Sequence, residues 1–360
     1  MIKNDELCTA LTKMLEVRIA EAKYTTAEFK VGSVGDVHLI EGLAKTTFGE
    51  ELPFKIVLKT QDKWLRPGDP SSWRREYDLY ISDFCKVLPE HFSWPKCYHA
   101  TIDGDITQIW MEYAEGISGL ELTTDILEKA AYEIGCFQGK VYTQPGLLPS
   151  ISNFSDTGYL KRDYEQWHNQ EYSLDELITD ACPLPNGIKQ ALKDGRIVLC
   201  GKSLEYSYLR SGECKIPEHL KQMLYEIDDN LDALFVEISK LPIVLCHRDF
   251  FNENIIYIGG IFRLIDWDTS GWGYLGEDVA CLISDDIDFD KFEEYCQRLI
   301  PAYYKGISKY MDTSQIQKNF IKEMILLKFG YRKVADYMFA DNDKERDVPV
   351  RELEKLYSMR

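Results

Sequence analysis

The stretch Leu245-Cys246-His247-Arg248-Asp249-Phe250-Phe251-Asn252-Glu253-Asn254-Ile255-Ile256-Tyr257-Ile258-Gly259-Gly260-Ile261-Phe262-Arg263-Leu264-Ile265-Asp266-Trp267-Asp268 places Gly259-Gly260 between two apolar runs. Both glycines can take positive φ, so the pair predicts a two-residue hairpin. That turn sets Ile255 opposite Leu264 and Tyr257 opposite Phe262. At the open end Asn254 faces Ile265 and Glu253 faces Asp266. Asn254 and Asp266 are then diagonal neighbours, roughly 7–8 Å apart at Cα. Side chains alternate along a strand, so Asp268 projects on the side of Asp266 if the strand persists.

Asn254, Asp266 and Asp268 are oxygen donors only, a set that suits the hard cation Mg²⁺. Zinc prefers nitrogen and sulfur. Asp249, on the loop before the hairpin, can approach the same place without being a metal ligand. A base for a substrate hydroxyl is needed there.

Upstream, residues 4–23 carry Leu7, Leu11, Met14, Leu15 and Ile19 at helical spacing. Strands are predicted at 28–31, 37–41 and 54–60. Asp69-Pro70-Ser71-Ser72 offers a helix start, with Trp73, Tyr77, Tyr80, Ile81 and Phe84 following at helical spacing. A turn at 101–105 separates two further strands. From about Thr124 helix signals dominate, at 124–140, 158–171, 216–240, 276–284, 289–306 and 314–339, with one β region at 243–267. Residues 141–215, rich in Pro, Gly, Ser and Asn, read as an irregular insertion. Segregated strands and helices predict an α+β fold. The expected division is 1–115, a small β-rich half, and 116–360, a larger helical half whose acceptor-binding insertion spans about 141–240.

The chain has 360 residues, enough for about two domains at roughly 150 residues each, or one large two-lobed one. Sixty acidic against 42 basic residues give a net charge of −18. Such a chain should repel nucleic acid and anionic membranes, so neither is an expected partner. The ten cysteines form no C-x-x-C pair, which argues against a zinc site and a disulfide framework. Reduced thiols, no apolar run near Met1 resembling a secretion signal and no membrane-length apolar stretch predict a cytoplasmic protein.

His247-Arg248-Asp249, four residues, Asn254, then Ile265-Asp266-Trp267-Asp268 resemble the catalytic loop and metal-binding segment of the protein-kinase-like fold. Trp267 in place of Phe, followed by Gly271 to Leu275 and Gly276-Glu277-Asp278-Val279-Ala280, is similar to the aminoglycoside phosphotransferase and choline kinase-like branch. The resemblance implies two lobes and runs in order from about residue 28 to 284. It implies that Lys59 touches the α- and β-phosphates of a nucleotide and that Glu76 pairs with it. Gly32-Ser33-Val34-Gly35 resembles a shortened phosphate-covering loop, although an ordinary hairpin turn fits those residues equally. Ile109 to Ala114 resembles the last strand and hinge, with Glu112 and Ala114 at positions that bind the purine edge and Met111 at the back of the pocket.

The resemblance further implies that Asp249 takes the proton of the acceptor hydroxyl, and that Asn254 and Asp266 hold Mg²⁺. Asp268 is a second metal contact or polar support. His247 and Asp278 are read as structural support, and Arg248 as pairing with a local acid. Asp268 to Asp278 leaves no room for a long activation segment, so protein-kinase activity is not expected. The function implied is transfer of the γ-phosphoryl group of ATP or GTP to a small hydroxyl-bearing acceptor, such as an aminoglycoside or other amino alcohol. Tyr159, Asp163, Trp167 and His168 lie in the region expected to form the acceptor wall. A catalytically silent nucleotide-binding protein, or a metal-dependent hydrolase using His247, Asp249 and Asp266, stays open as an alternative.

Overall fold

The computed structural model describes residues 2–29, 35–66, 68–150, 153–314, 316 and 320–359. Gly32, Ser33 and Val34 lie outside the described residues.

Helix α1 (Asn4–Leu15) buries Leu7, Ala10 and Leu11 and stops at Glu16, which takes φ 55°. The helix is thus shorter than the predicted 4–23. Ile19 fits a helical stripe, but it begins strand β1 (Ile19–Phe29), which pairs along its length with β2 (Asp36–Thr46). Strand β3 (Glu51–Asp62) alternates. Phe54, Ile56 and Leu58 pack on the α1 side with Ile40, Ala44, Tyr98 and Trp110. Lys55, Val57 and Lys59 therefore point to the opposite face. Helix α2 (Ser72–Tyr80) covers that face, where Tyr80, Ile109 and Met111 cluster with Val57 and Tyr77. The short β4 (Phe92–Ser93) precedes the hairpin β5 (Cys97–Asp103) and β6 (Ile106–Glu112). The large sheet is antiparallel, in the order β1-β2-β3-β6-β5.

Helices follow: α3 (Thr124–Thr143), α4 (Tyr159–His168), α5 (Leu174–Leu177), α6 (Asn186–Lys193), α7 (Leu204–Leu209), α8 (Glu218–Asp229) and α9 (Leu231–Ile238). The predicted helix 216–240 is thus two helices, broken at Asn230. Strand β7 (Ile243–Cys246) leads into the catalytic-loop motif, and β8 (Ile255–Ile258) and β9 (Ile261–Leu264) form the hairpin. Its register is the expected one, Ile255 to Leu264 and Tyr257 to Phe262, with Gly259 at φ 57° and Gly260 at φ 92°. Strand β10 (Gly271–Tyr274), absent from the sequence reading, pairs with β7 and anchors the segment after Asp268. Helices α10 (Glu277–Leu282), α11 (Phe292–Ile307), α12 (Ile321–Phe339) and α13 (Asp343–Ser358) complete the larger core around α3 and α11. Helix α13 was not anticipated.

The fold is therefore α+β, with the β-sheet in the N-terminal region and the helices in the C-terminal region. The hairpin is tied on one edge to the N-terminal region and on the other to the segment that follows it. Strand β4 runs parallel to β9, and Ile117 bridges to Tyr257 of β8. All ten cysteines are free thiols. No helix among the described residues is long and apolar enough to cross a membrane.

Candidate functional site

The alternation of β3 delivers Lys59 to the α2 face, and α2 presents Glu76 there. Lys59 Nζ donates to Glu76 Oε2 at 2.5 Å and to Asp266 Oδ1 at 2.8 Å. Glu76 is only 2% exposed, and its other oxygen accepts the backbone N–H of Asp266 at 3.2 Å. One glutamate thus grips both the lysine and the peptide that carries Asp266. Burial opposes charge at Lys59, but Asp266 and Glu76 outweigh it and hold the ammonium well above its ordinary pKa. Burial likewise opposes charge at Asp266, and Lys59 outweighs it, so the carboxyl sits below its ordinary range.

Strand β9 ends at Leu264, and Asp266 takes φ 64°, a left-handed conformation unusual for a side-chain-bearing residue. The strand therefore does not persist to Asp268, and the alternation argument for its side fails. Trp267 drops into the core against Phe84, Phe137 and His247. Asp268 is 6% exposed and meets Arg66 at 3.4 Å, while its carbonyl accepts from the buried Arg75. Burial, then the neighbouring Asp266 charge, push the Asp268 carboxyl up to about 7.

At the other side of the hairpin mouth, Asn252–Asn254 form a single 3-10 turn. Glu253 does not face Asp266; its carboxylate lies over Gly119, where any Cβ would collide with it. The Asn254 backbone does meet Ile265, whose N–H donates to the Asn254 carbonyl at 3.2 Å. The Asn254 amide nitrogen donates to the Asp249 carbonyl at 3.0 Å and to Asp249 Oδ2 at 3.3 Å. Its side-chain oxygen is thereby left for another partner. That oxygen and the Asp266 carboxylate are both hard donors, of the kind that suits Mg²⁺ rather than zinc.

Asp249 follows Arg248, another left-handed residue at φ 69°. Asp278 holds the approach, accepting the backbone N–H of His247 at 2.9 Å and of Arg248 at 2.7 Å. His247 is fully buried, with Nε2 3.1 Å from the Ile265 carbonyl and its ring 4.4 Å from that of Trp267. The Arg248 guanidinium bonds to the carbonyls of Asp156 and Trp272, with Glu277 3.6 Å away as its acidic neighbour.

Gly35 takes φ 83°, and a Cβ there would lie 2.8 Å from the Thr60 carbonyl. The chain thus enters β2 pressed against the residue after Lys59. Met111 is buried beside Tyr80, with the Tyr80 hydroxyl 3.9 Å from its sulfur. Glu112 ends β6 and pairs at 2.6 Å with Arg263 of β9. Ala114 lies just beyond the strand, half-buried.

Tyr159 and Asp163 line a small cavity with Arg248, Cys281, Met324 and Lys328. Trp167 is 61% exposed. His168 is buried, stacked at 3.7 Å on Tyr164, and faces Asp228 at 3.6 Å. Two cations escaped the sequence reading. Arg66 left no local signal, and Lys328 showed only as a lysine inside the apolar run Ile325-Leu326-Leu327-Lys328-Phe329.

The folds of several solved structures resemble this one. Choline kinase from Cryptosporidium parvum Iowa II aligns over 93% of this chain and 89% of its own, with TM-score 0.52 and 14% identity. A microcompartment-associated aminopropanol kinase aligns over 96% and 94%, with TM-score 0.51 and 11% identity. The amicoumacin kinase hAmiN aligns over 92% and 87%, with TM-score 0.50 and 13% identity. At such identities the likeness is one of fold. No curated protein matches the sequence. The sequence model of the phosphotransferase enzyme family, APH, matches residues 83–311, which contain the catalytic-loop motif and the whole hairpin. The chain belongs to that family.

Proposed function

We propose that the protein transfers the γ-phosphoryl group of ATP or GTP to a hydroxyl of a small molecule. The observation that carries this reading is the Lys59, Glu76 and Asp266 cluster, with Asp249 bonded to Asn254 on the adjoining loop. The nucleotide is proposed to lie between residues 1–115 and 116–360. Its purine edge would meet the Glu112 and Ala114 backbone in front of Met111, and its phosphates would lie against Lys59. The amicoumacin kinase structure, which is of similar fold, was solved with AMP-PNP and Ca²⁺.

In the reaction, the acceptor oxygen bonds to the γ-phosphorus as the bond from that phosphorus to the bridging oxygen breaks. The electron pair of the broken bond leaves with the nucleoside diphosphate, and the acceptor proton passes to the Asp249 carboxylate. Asn254 and Asp266 would hold Mg²⁺, with Asp268 as a further contact. When bound, the ion neutralises phosphate charge. Lys59 positions the α- and β-phosphates, Glu76 orients Lys59, and His247 and Asp278 brace the loop. Positioning and electrostatics supply most of the rate.

The acceptor is proposed to be an amino alcohol, an aminoglycoside among them. Asp163 lines the same cavity as Lys328, which is 3.7 Å from Asp249, and burial pushes the Asp163 carboxyl above the ordinary range. A cationic amine would relieve that penalty. The hydrolase alternative needs His247 as an open metal ligand, and its burial against Ile265 and Trp267 does not support that role. The test is nucleotide consumption with aminoglycosides, choline-like amines and sugars as acceptors. Asp249→Asn should lower turnover by about 10²–10⁴-fold. Full activity in that variant would rule out Asp249 as the base.

A further inference from the structure

Helix α12 buries Ile325, Leu326, Leu327 and Phe329, and within that apolar face it carries Lys328. A cation among such neighbours is costly unless it is paired. Lys328 Nζ donates to the Arg248 carbonyl at 2.6 Å and to Cys281 Sγ at 3.2 Å, and it lies 3.7 Å from Asp249 Oδ1. Burial disfavours its charge, but Cys281, Asp249 and Asp285 together hold it well above the ordinary lysine value. It is therefore an ammonium at neutral pH. Asp249, Cys281 and Asp285 also cluster closely enough to suggest a metal site, but Lys328 supplies the positive charge there.

Two features make this more than a buried pair. The first is the backbone. Arg248 is held at φ 69°, a left-handed conformation that is unfavourable for a residue with a side chain. It persists only where its surroundings fix it. Asp278 of α10 grips the Arg248 N–H, and Lys328 of α12 grips the Arg248 carbonyl. That carbonyl belongs to the peptide bond from which Asp249 projects. The second is access. The Lys328 side chain is 24% exposed and that of Asp249 32%, and Lys328 lines the cavity next to the proposed acceptor site.

We infer that Lys328 is a positioning residue for phosphoryl transfer, its ammonium fixing the peptide between Arg248 and Asp249 and holding the Asp249 carboxylate toward the acceptor hydroxyl. The inference rests on the phosphotransfer reading. It predicts an effect on the chemical step and not on nucleotide binding, because Lys328 lies on the Asp249 side of the site and Lys59 serves the nucleotide.

The experiment compares the full-length wild type with Lys328→Met, Lys328→Gln and Lys328→Arg. Calorimetry with Mg·AMP-PNP gives nucleotide affinity. Steady-state kinetics uses Mg-ATP and the panel of aminoglycoside, choline-like and sugar acceptors. The Met and Gln variants should bind Mg·AMP-PNP within about threefold of wild type. Their kcat should fall about 10²-fold, the loss typical of a catalytic group displaced by about 1 Å. Lys328→Arg, which keeps the charge, should recover at least tenfold of that loss. Lys328→Gln keeps a donor for the Arg248 carbonyl without charge, so it covers the case in which the Met variant does not fold. A kcat within threefold of wild type in the Met or Gln variant would overturn the inference while leaving the phosphotransfer reading intact. So would a loss confined to nucleotide affinity. A wild type that phosphorylates no acceptor of the panel would overturn both.

Discussion

The ammonium of Lys59 lies 2.8 Å from Asp266 Oδ1, although 207 residues separate the two in sequence. Two local facts produce this contact. The period of β3 points Lys59 away from α1, and the left-handed Asp266 turns its carboxylate out of the hairpin. Glu76 ties them together by bonding to the side chain of one and the backbone of the other.

Lys59→Met leaves two carboxylates side by side with no cation between them. Glu76 is almost fully buried and Asp266 is 36% exposed, so the penalty falls mainly on Glu76. The variant should lose about 2–3 kcal/mol of stability, read by urea denaturation. Lys59→Met/Glu76→Gln should recover part of it. Equal stability of Lys59→Met and wild type would show that the ion pair does not form.

His247 is buried neutral, and burial lowers its pKa from 6.5 to about 4. As pH falls below 6.5, the unfolded chain takes up a proton that the folded chain refuses. Stability present above pH 6.5 is therefore lost as pH falls to about 4, by an amount on the order of 3 kcal/mol. His247→Gln can still donate to the Ile265 carbonyl but does not titrate. The stability of wild type minus that of His247→Gln, followed from pH 7 to 4, should decline across this window. A flat difference would show that His247 is not held neutral.

Glu112 at the end of β6 and Arg263 of β9 form a 2.6 Å ion pair across the boundary between sheet and hairpin. Their side chains are 30% and 25% exposed, so solvent screens much of the attraction. A double-mutant cycle of Glu112→Gln and Arg263→Met should give a coupling of about 0.5–1 kcal/mol, falling in 0.5 M salt. Zero coupling at low salt would show that the two side chains do not pair.

Helices α3 and α11 approach so closely that a Cβ on Gly306 would strike the Tyr132 carbonyl, and one on Gly135 the Tyr303 carbonyl. Alanine gains about 1 kcal/mol of helix propensity over glycine. Forcing the helices apart costs about 1–3 kcal/mol, and here both obstacles are backbone, which cannot swing aside. Gly306→Ala should therefore be net destabilising in thermal melts. A stabilised variant would mean that the two helices do not pack this closely.

The hairpin was legible because two adjacent glycines fix both turn and register, and that register also set the Asn254 backbone beside Ile265. Other features were hidden for physical reasons. Ile19 satisfies a helical period and a strand period equally, and only pairing with β2 decides between them. The left-handed turn at Asp266 broke the alternation that placed Asp268, because nothing in Asp-Trp-Asp announces that Glu76 will capture the Asp266 N–H. His168 resembled a wall residue, but Tyr164 and Asp228, far apart in the chain, draw it into the core. Lys328 was unreadable, since a single lysine in an apolar helix carries no mark of the loop it will meet.

Calorimetric titration with Mg·AMP-PNP, of wild type and of Asp266→Ala, addresses the nucleotide cleft most directly. Wild type should bind saturably, and binding should weaken at least tenfold in Asp266→Ala and when EDTA removes the metal. Identical titrations for the two proteins, or no heat from wild type at millimolar nucleotide, would contradict it.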